Sequence, residues 1–281
     1  MVNLTTYKSN NSILDKLTVG NMPIDIGYSI TGVSVQLDLL NKQKGKSPKE
    51  IEFIKKLKQL IIKGSESFEK GDYLEAEKIY KAALAQINSI IMLGAGDAGV
   101  WHIKGLIQYI LREYADALHS FNKALKLHPD SGRMWLYKGL TLVPLQKFEE
   151  ATDAFEQAYR YPEIGGNNKT ALYAGWSDAL LFGALQAQLS RDSELVEYWA
   201  DYWGDVKERG KEDGFDSVME EILTRIKEKL PEKELRAFLK LEKKLRRMED
   251  PLYRLKALRD SISRKWPKGL SSVEAIREDR D

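Results

Sequence analysis

The stretch Trp101-His102-Ile103-Lys104-Gly105-Leu106 runs on to Tyr114, Ala117, Phe121, Ala124 and Pro129. The same residue types return thirty-four positions later as Trp135, Gly139, Phe148, Ala151, Phe155 and Ala158, with Pro162 one place early. A unit of that length cannot bury a core alone, so its copies must stack on one another. A fainter copy lies upstream. Gly64, Tyr73, Ala76, Tyr80 and Ala83 hold the positions of Gly105, Tyr114, Ala117, Phe121 and Ala124, with Leu60 where the others carry tryptophan. Its glycine precedes Gly105 by forty-one residues rather than thirty-four. The seven extra residues fall between Ala83 and Gly94, among Ile87, Ile90 and Ile91, about two turns of helix, so the second helix of this unit is expected to be longer than its neighbours.

Composition bounds the function classes. With 281 residues and 43% hydrophobic side chains the chain is long enough for one solenoid or two small domains. Lysine and arginine number 44 against 42 acidic residues, so no global charge marks a polyanion binder. The absence of cysteine excludes disulfides, cysteine-based zinc sites and thiol catalysis. Met1 to Ser12 lacks the basic-then-apolar order of a secretory signal, and no apolar run reaches the length of a membrane span, so a cytoplasmic protein is expected.

Residues 1–46 show no helical period. Val33, Val35, Leu37 and Leu39 alternate as in a strand, while Gly20, Pro23, Gly27 and Gly32 break longer elements, which predicts a partly ordered arm. Ser47-Pro48-Lys49-Glu50 then combines an N-cap, a proline at the first helical position and a capping glutamate. A helix to about Glu69, a turn at Lys70-Gly71-Asp72 and a second helix from Tyr73 follow. Beyond Pro162 the template fades. Ala171 to about Gln188 and a helix capped by Ser193 read as a degenerate fourth pair closing the core, so residues 47–209 form the repeat region. Residues 210–281 read as a basic helical extension: helices over 216–230, 232–248 and 252–266, then a charged tail. In the second of these, Leu235, Phe238, Leu239, Leu245 and Met248 are the expected apolar stripe.

These residues resemble the tetratricopeptide repeat family over roughly 57–165. The resemblance implies an all-α, right-handed α-solenoid of helix–turn–helix pairs. It also implies a non-catalytic scaffold or adaptor that mediates protein–protein interaction. Gly105, Gly139, Ala117 and Ala151 would let paired helices approach, and Trp101, Trp135, Phe121 and Phe155 would fill the gaps. In this family the first helix of each pair lines a concave groove. The groove positions are here His102, Leu106, Tyr109 and Ile110 in one unit and Leu136, Leu140, Val143 and Pro144 in the next, with Tyr137 beside them. The unit upstream contributes Ile61, Ser65, Phe68 and Glu69. One branch of the family clamps the terminal carboxylate of heat-shock chaperones with lysine and asparagine. Ile61, Ser65 and Leu106 stand at those positions and only Arg133 is basic, so that clamp is missing. A groove this apolar needs an apolar occupant. It is a partner's helix or extended peptide, the chain's own arm through Ile13, Leu14, Leu17, Ile24 and Ile26, or the C-terminal helices closing over it.

Other motifs carry competing functions. Gly94-Ala95-Gly96-Asp97-Ala98-Gly99 spells a dinucleotide fingerprint, but the following helix belongs to a repeat and leads to another helix, not a strand, so it reads as an inter-repeat turn and no cofactor is expected. His102 and His119 fall on different helices and His128 lies beyond, so no metal site or acid–base pair is expected. Between Lys233 and Lys268 there are thirteen basic and five acidic residues; Lys240, Lys243, Lys244, Arg246 and Arg247 form the densest basic face. A solvated face is the plain reading, and contact with a nucleic-acid backbone the functional one. The tail from Trp266 to Arg280 resembles the toxin-docking tails of prokaryotic antitoxins, which would set Val273 and Ile276 against a partner and Arg277 or Arg280 in an acidic pocket.

Overall fold

The computed structural model describes residues 47–161, 167–210 and 215–248. The strand or extended arm expected over 33–39, the helix expected over 252–266 and the tail that follows lie outside them. The described residues form ten helices and no strand. They are α1 (Pro48–Glu69), α2 (Tyr73–Met92), α3 (Ala98–Ile110), α4 (Tyr114–Leu127), α5 (Gly132–Leu142), α6 (Phe148–Tyr159), α7 (Asn167–Leu189), α8 (Ser193–Gly210), α9 (Phe215–Lys229) and α10 (Glu232–Met248).

Local chemistry sets the boundaries. At the start of α1 the Ser47 amide donates to Glu50 Oε2 at 2.6 Å and the Glu50 amide donates to Ser47 Oγ at 3.3 Å, a reciprocal cap. The α2 helix has 20 residues against 14 in α4, the surplus that the wider repeat spacing predicts. Asp97 caps α3 by accepting from the Val100 amide at 2.9 Å. Asp192, not Ser193, caps α8: its Oδ1 accepts from the Leu195 amide at 2.9 Å. Ser193 is already the first helical residue, so its hydroxyl stands one position too late to cap.

The turns inside the pairs are copies of one another. Gly71, Arg112, Gln146 and Arg191 all adopt positive φ, between 59° and 79°. In each, the next amide reaches back into the preceding helix: Asp72 to the Ser67 carbonyl at 2.9 Å, Glu113 to Gln108 at 2.8 Å, Lys147 to Leu142 at 3.1 Å and Asp192 to Ala187 at 3.0 Å. This left-handed cap satisfies helix-end carbonyls and reverses the chain.

The pairs α1/α2, α3/α4, α5/α6 and α7/α8 are the tightest contacts, and α2/α3, α4/α5 and α6/α7 join them in sequence. Each pair is pressed together at one glycine. A Cβ on Gly64 would lie 2.7 Å from the Tyr80 ring, on Gly105 2.7 Å from Phe121, on Gly139 2.6 Å from Phe155 and on Gly183 2.7 Å from Trp199. The ring therefore rests on bare backbone, a fit that no larger residue allows. The fourth pair shares this device although the rest of the template is gone. One continuous core runs from Ile54 in α1 to Leu245 in α10.

The last two helices pack back on the fourth pair. Phe215 opens α9 against Tyr173, with ring centroids 5.3 Å apart. Phe238, Leu241 and Leu245 bury the inner side of α10. Leu239, expected in that stripe, is instead 46% exposed. One residue along a helix is a rotation of about 100°, so Leu239 cannot share a face with Phe238, and Leu241 takes the place.

Candidate functional site

The inner wall is built by the first helices of the pairs. His102, Leu106, Tyr109 and Ile110 come from α3 and Leu136, Tyr137, Leu140 and Val143 from α5 or its end. The structure brings them together. The His102 ring lies 5.8 Å from Phe121 and 5.7 Å from Tyr137, and Tyr109 meets Tyr137 at 6.4 Å and Tyr114 at 5.8 Å. It does not leave them open to water. Seven of the eight are buried, the most exposed being Tyr137 and Val143 at 7%; Ile110 is half-buried. The burial has an electrostatic consequence. Desolvation, with the Arg133 charge second, holds the His102 imidazole down at about 3, so it is neutral near pH 7. Burial, aided by Tyr114, Tyr137 and Asp178, pushes the Tyr109 phenol well up.

Closure extends along three of the four inner helices, α3, α5 and α7, whereas α1 keeps exposed residues. No residue from Ala95 to Leu111, from Ser131 to Gln146 or from Ala171 to Leu185 is exposed. For α7 the cover is visible, because α9 and α10 lie on it. A helix apolar on every side belongs in an interior, and α7 carries buried residues all round its girth, including Trp176, Leu180, Phe182 and Leu185.

One polar contact on this helix pair was not legible in the repeat pattern. Ser120 Oγ donates to Gln108 Oε1 at 2.5 Å, joining α4 to α3 inside the core. The only hint in the sequence is two polar residues at positions that the helical period turns inward.

The Gly94–Gly99 segment is the turn between α2 and α3. Gly94 has φ +82°, and Gly96 sits against Trp101 and Ile91. The segment joins helix to helix, not the strand to helix of a dinucleotide fingerprint. His119 lies on the outside of α4, its ring 6.5 Å from Trp101, while His102 is inside. Among the described residues no group of three His, Asp or Glu side chains is placed to hold a metal ion.

The basic face divides in two. Arg246 grips Glu220 with two bonds of 2.9 and 3.0 Å and also reaches Glu242 at 3.0 Å. Lys244 lies 3.7 Å from Glu197. Lys240, Lys243 and Arg247 point to solvent. The five therefore do not form one free surface: the two cations nearest α8 and α9 meet carboxylates there.

The repeated turn, the glycine–ring contacts and the paired helices define a helical-repeat protein. Residues 104–167 match the family model for the tetratricopeptide repeat, so this stretch of the chain carries tetratricopeptide repeats. Such repeats generally mediate protein–protein interactions and typically form non-catalytic scaffolds. No curated protein matches the chain. No described helix is long and apolar enough to cross a membrane.

Proposed function

We propose that this chain is a non-catalytic interaction scaffold whose concave face receives an apolar helix or extended segment, and that the resting occupant is its own. Residues 1–46 supply that occupant, with Ile13, Leu14, Leu17, Ile24 and Ile26 as its apolar contacts. The supporting observation is the closure of α3 and α5. Their described helical neighbours are the paired second helices and the adjoining inner helices, chiefly α2, α4, α6 and α7. In a two-layer repeat those neighbours leave one side of each inner helix uncovered. Yet no residue of either helix is exposed. A partner's apolar segment would reach the same wall by displacing the resident one.

The chain has no cysteine, so a single introduced thiol can be labelled cleanly. A nitroxide on Ser12→Cys should broaden the methyl resonances of Leu106, Leu136, Leu140 and Val143 well beyond those of Leu189, at the far end of α7. Wall methyls as sharp as that of Leu189 would refute the intramolecular occupant.

A further inference from the structure

A row of cations runs along the outer side of α10. Arg236, Lys240, Lys243 and Arg247 follow at spacings of four, three and four residues, and all four are exposed. That spacing puts them on one helix face, neighbours about 5–6 Å apart. From first to last they span about 16 Å of helix. Arg236 pairs with Glu232 one turn earlier, where both side chains are largely solvated, so the pair is weak and exchangeable. Lys240, Lys243 and Arg247 meet no carboxylate among the described residues. The cations that do, Lys244 and Arg246, sit on the flank turned to α8 and α9.

We propose that this row binds the sugar–phosphate backbone of a nucleic acid, without reading bases. The proposal does not depend on the concave-face reading, since the row lies on the outer surface of a different helix. Three observations favour phosphate over other anionic partners. The row presents only donors, and Arg236 and Arg247 carry the two-pronged group that matches phosphate oxygens. As far as Lys268 the sequence continues the charge, with Arg254, Lys256, Arg259, Arg264, Lys265 and Lys268 against Glu249, Asp250 and Asp260, before an acidic end with Glu274, Glu278, Asp279 and Asp281; such a basic tract is the footprint of a backbone binder. A lipid surface would need the apolar side of the helix, and Phe238, Leu241 and Leu245 are already committed to the core.

The test is fluorescence anisotropy on the full chain with a labelled mixed-sequence duplex DNA and a labelled single-stranded RNA, at salt between about 50 and about 200 mM. The wild-type chain should bind at least one of them with a steep negative dependence on salt. Lys240→Gln, Lys243→Gln and Arg247→Gln together should reduce the log–log salt slope by about 2–3, since each lost phosphate contact removes about 0.7–0.9. These side chains are solvated, so circular dichroism should be unchanged. Lys244→Gln, which removes a cation already paired, should leave the slope nearly intact. Failure of both probes to bind, an unaltered slope in the triple variant, tighter binding of polyglutamate than of either nucleic acid, or binding only to phosphatidylserine vesicles would each overturn the assignment.

Discussion

Gly183 and Trp199 stand sixteen residues apart and touch directly: a Cβ built on Gly183 would come within 2.7 Å of Trp199 Cε2. The same separation joins Gly64 to Tyr80, Gly105 to Phe121 and Gly139 to Phe155. The fourth pair thus keeps the one contact that fixes how closely its two helices approach, while every other template position has drifted. Gly183→Ala should destabilise the chain by about 1–3 kcal/mol through overpacking, although alanine is the better helix former by about 1 kcal/mol. Chemical denaturation measures it, and a double-mutant cycle identifies the cause. In a Trp199→Leu background the same substitution should be neutral or stabilising. An equal cost in both backgrounds would remove the ring contact as the reason.

The four pair turns differ in how well the residue suits the backbone. Gly71 adopts φ 79° without a side chain, whereas Arg112, Gln146 and Arg191 hold φ near 60° with one. A left-handed residue with a Cβ costs about 1–2 kcal/mol, and glycine costs about 0.5–1 kcal/mol of unfolded-state entropy. Arg112→Gly should therefore raise stability by about 0.5–1 kcal/mol, seen as a higher denaturation midpoint at unchanged slope. A lower midpoint would show that the arginine side chain contributes more than its backbone costs.

Neutral, buried His102 makes stability depend on pH. The unfolded chain binds a proton at this residue near pH 6.5, while the folded chain does so only at about 3. Between those values the unfolded state holds more protons, so stability falls as pH falls, by up to about 1.4 kcal/mol per unit. His102→Phe keeps a ring against Phe121 and Tyr137 and should flatten the profile between pH 6 and pH 4.5. A variant profile parallel to wild type there would show that His102 is not the titrating group.

Two aromatic residues of the repeat differ in burial. Phe121 is fully buried, so Phe121→Ala should cost about 3–5 kcal/mol. The repeat pattern suggests the same for Trp135, but that ring is only partly buried, beside Lys138 at 4.8 Å, and its Nε1 donates to the Pro129 carbonyl at 2.9 Å. Trp135→Ala should cost about 1–2 kcal/mol, less than half as much. Equal losses in thermal or chemical unfolding would show that exposure does not separate them.

The sequence by itself determined the repeat: its period, the capping box at Ser47, the long α2 and the small residues where helices meet. Those features are local or recur at a fixed interval, so they can be read along the chain. The tertiary structure decided the rest. It turned the wall of Leu106, Tyr109 and Leu140 inward, exchanged Leu239 for Leu241 in the core, left Trp135 half in water and drew Lys244 and Arg246 from the basic face into ion pairs. Helical period gives the angle of a side chain about its own axis. What lies opposite that angle, an apolar neighbour, a carboxylate or water, depends on segments far away in the sequence, and only their packing supplies it.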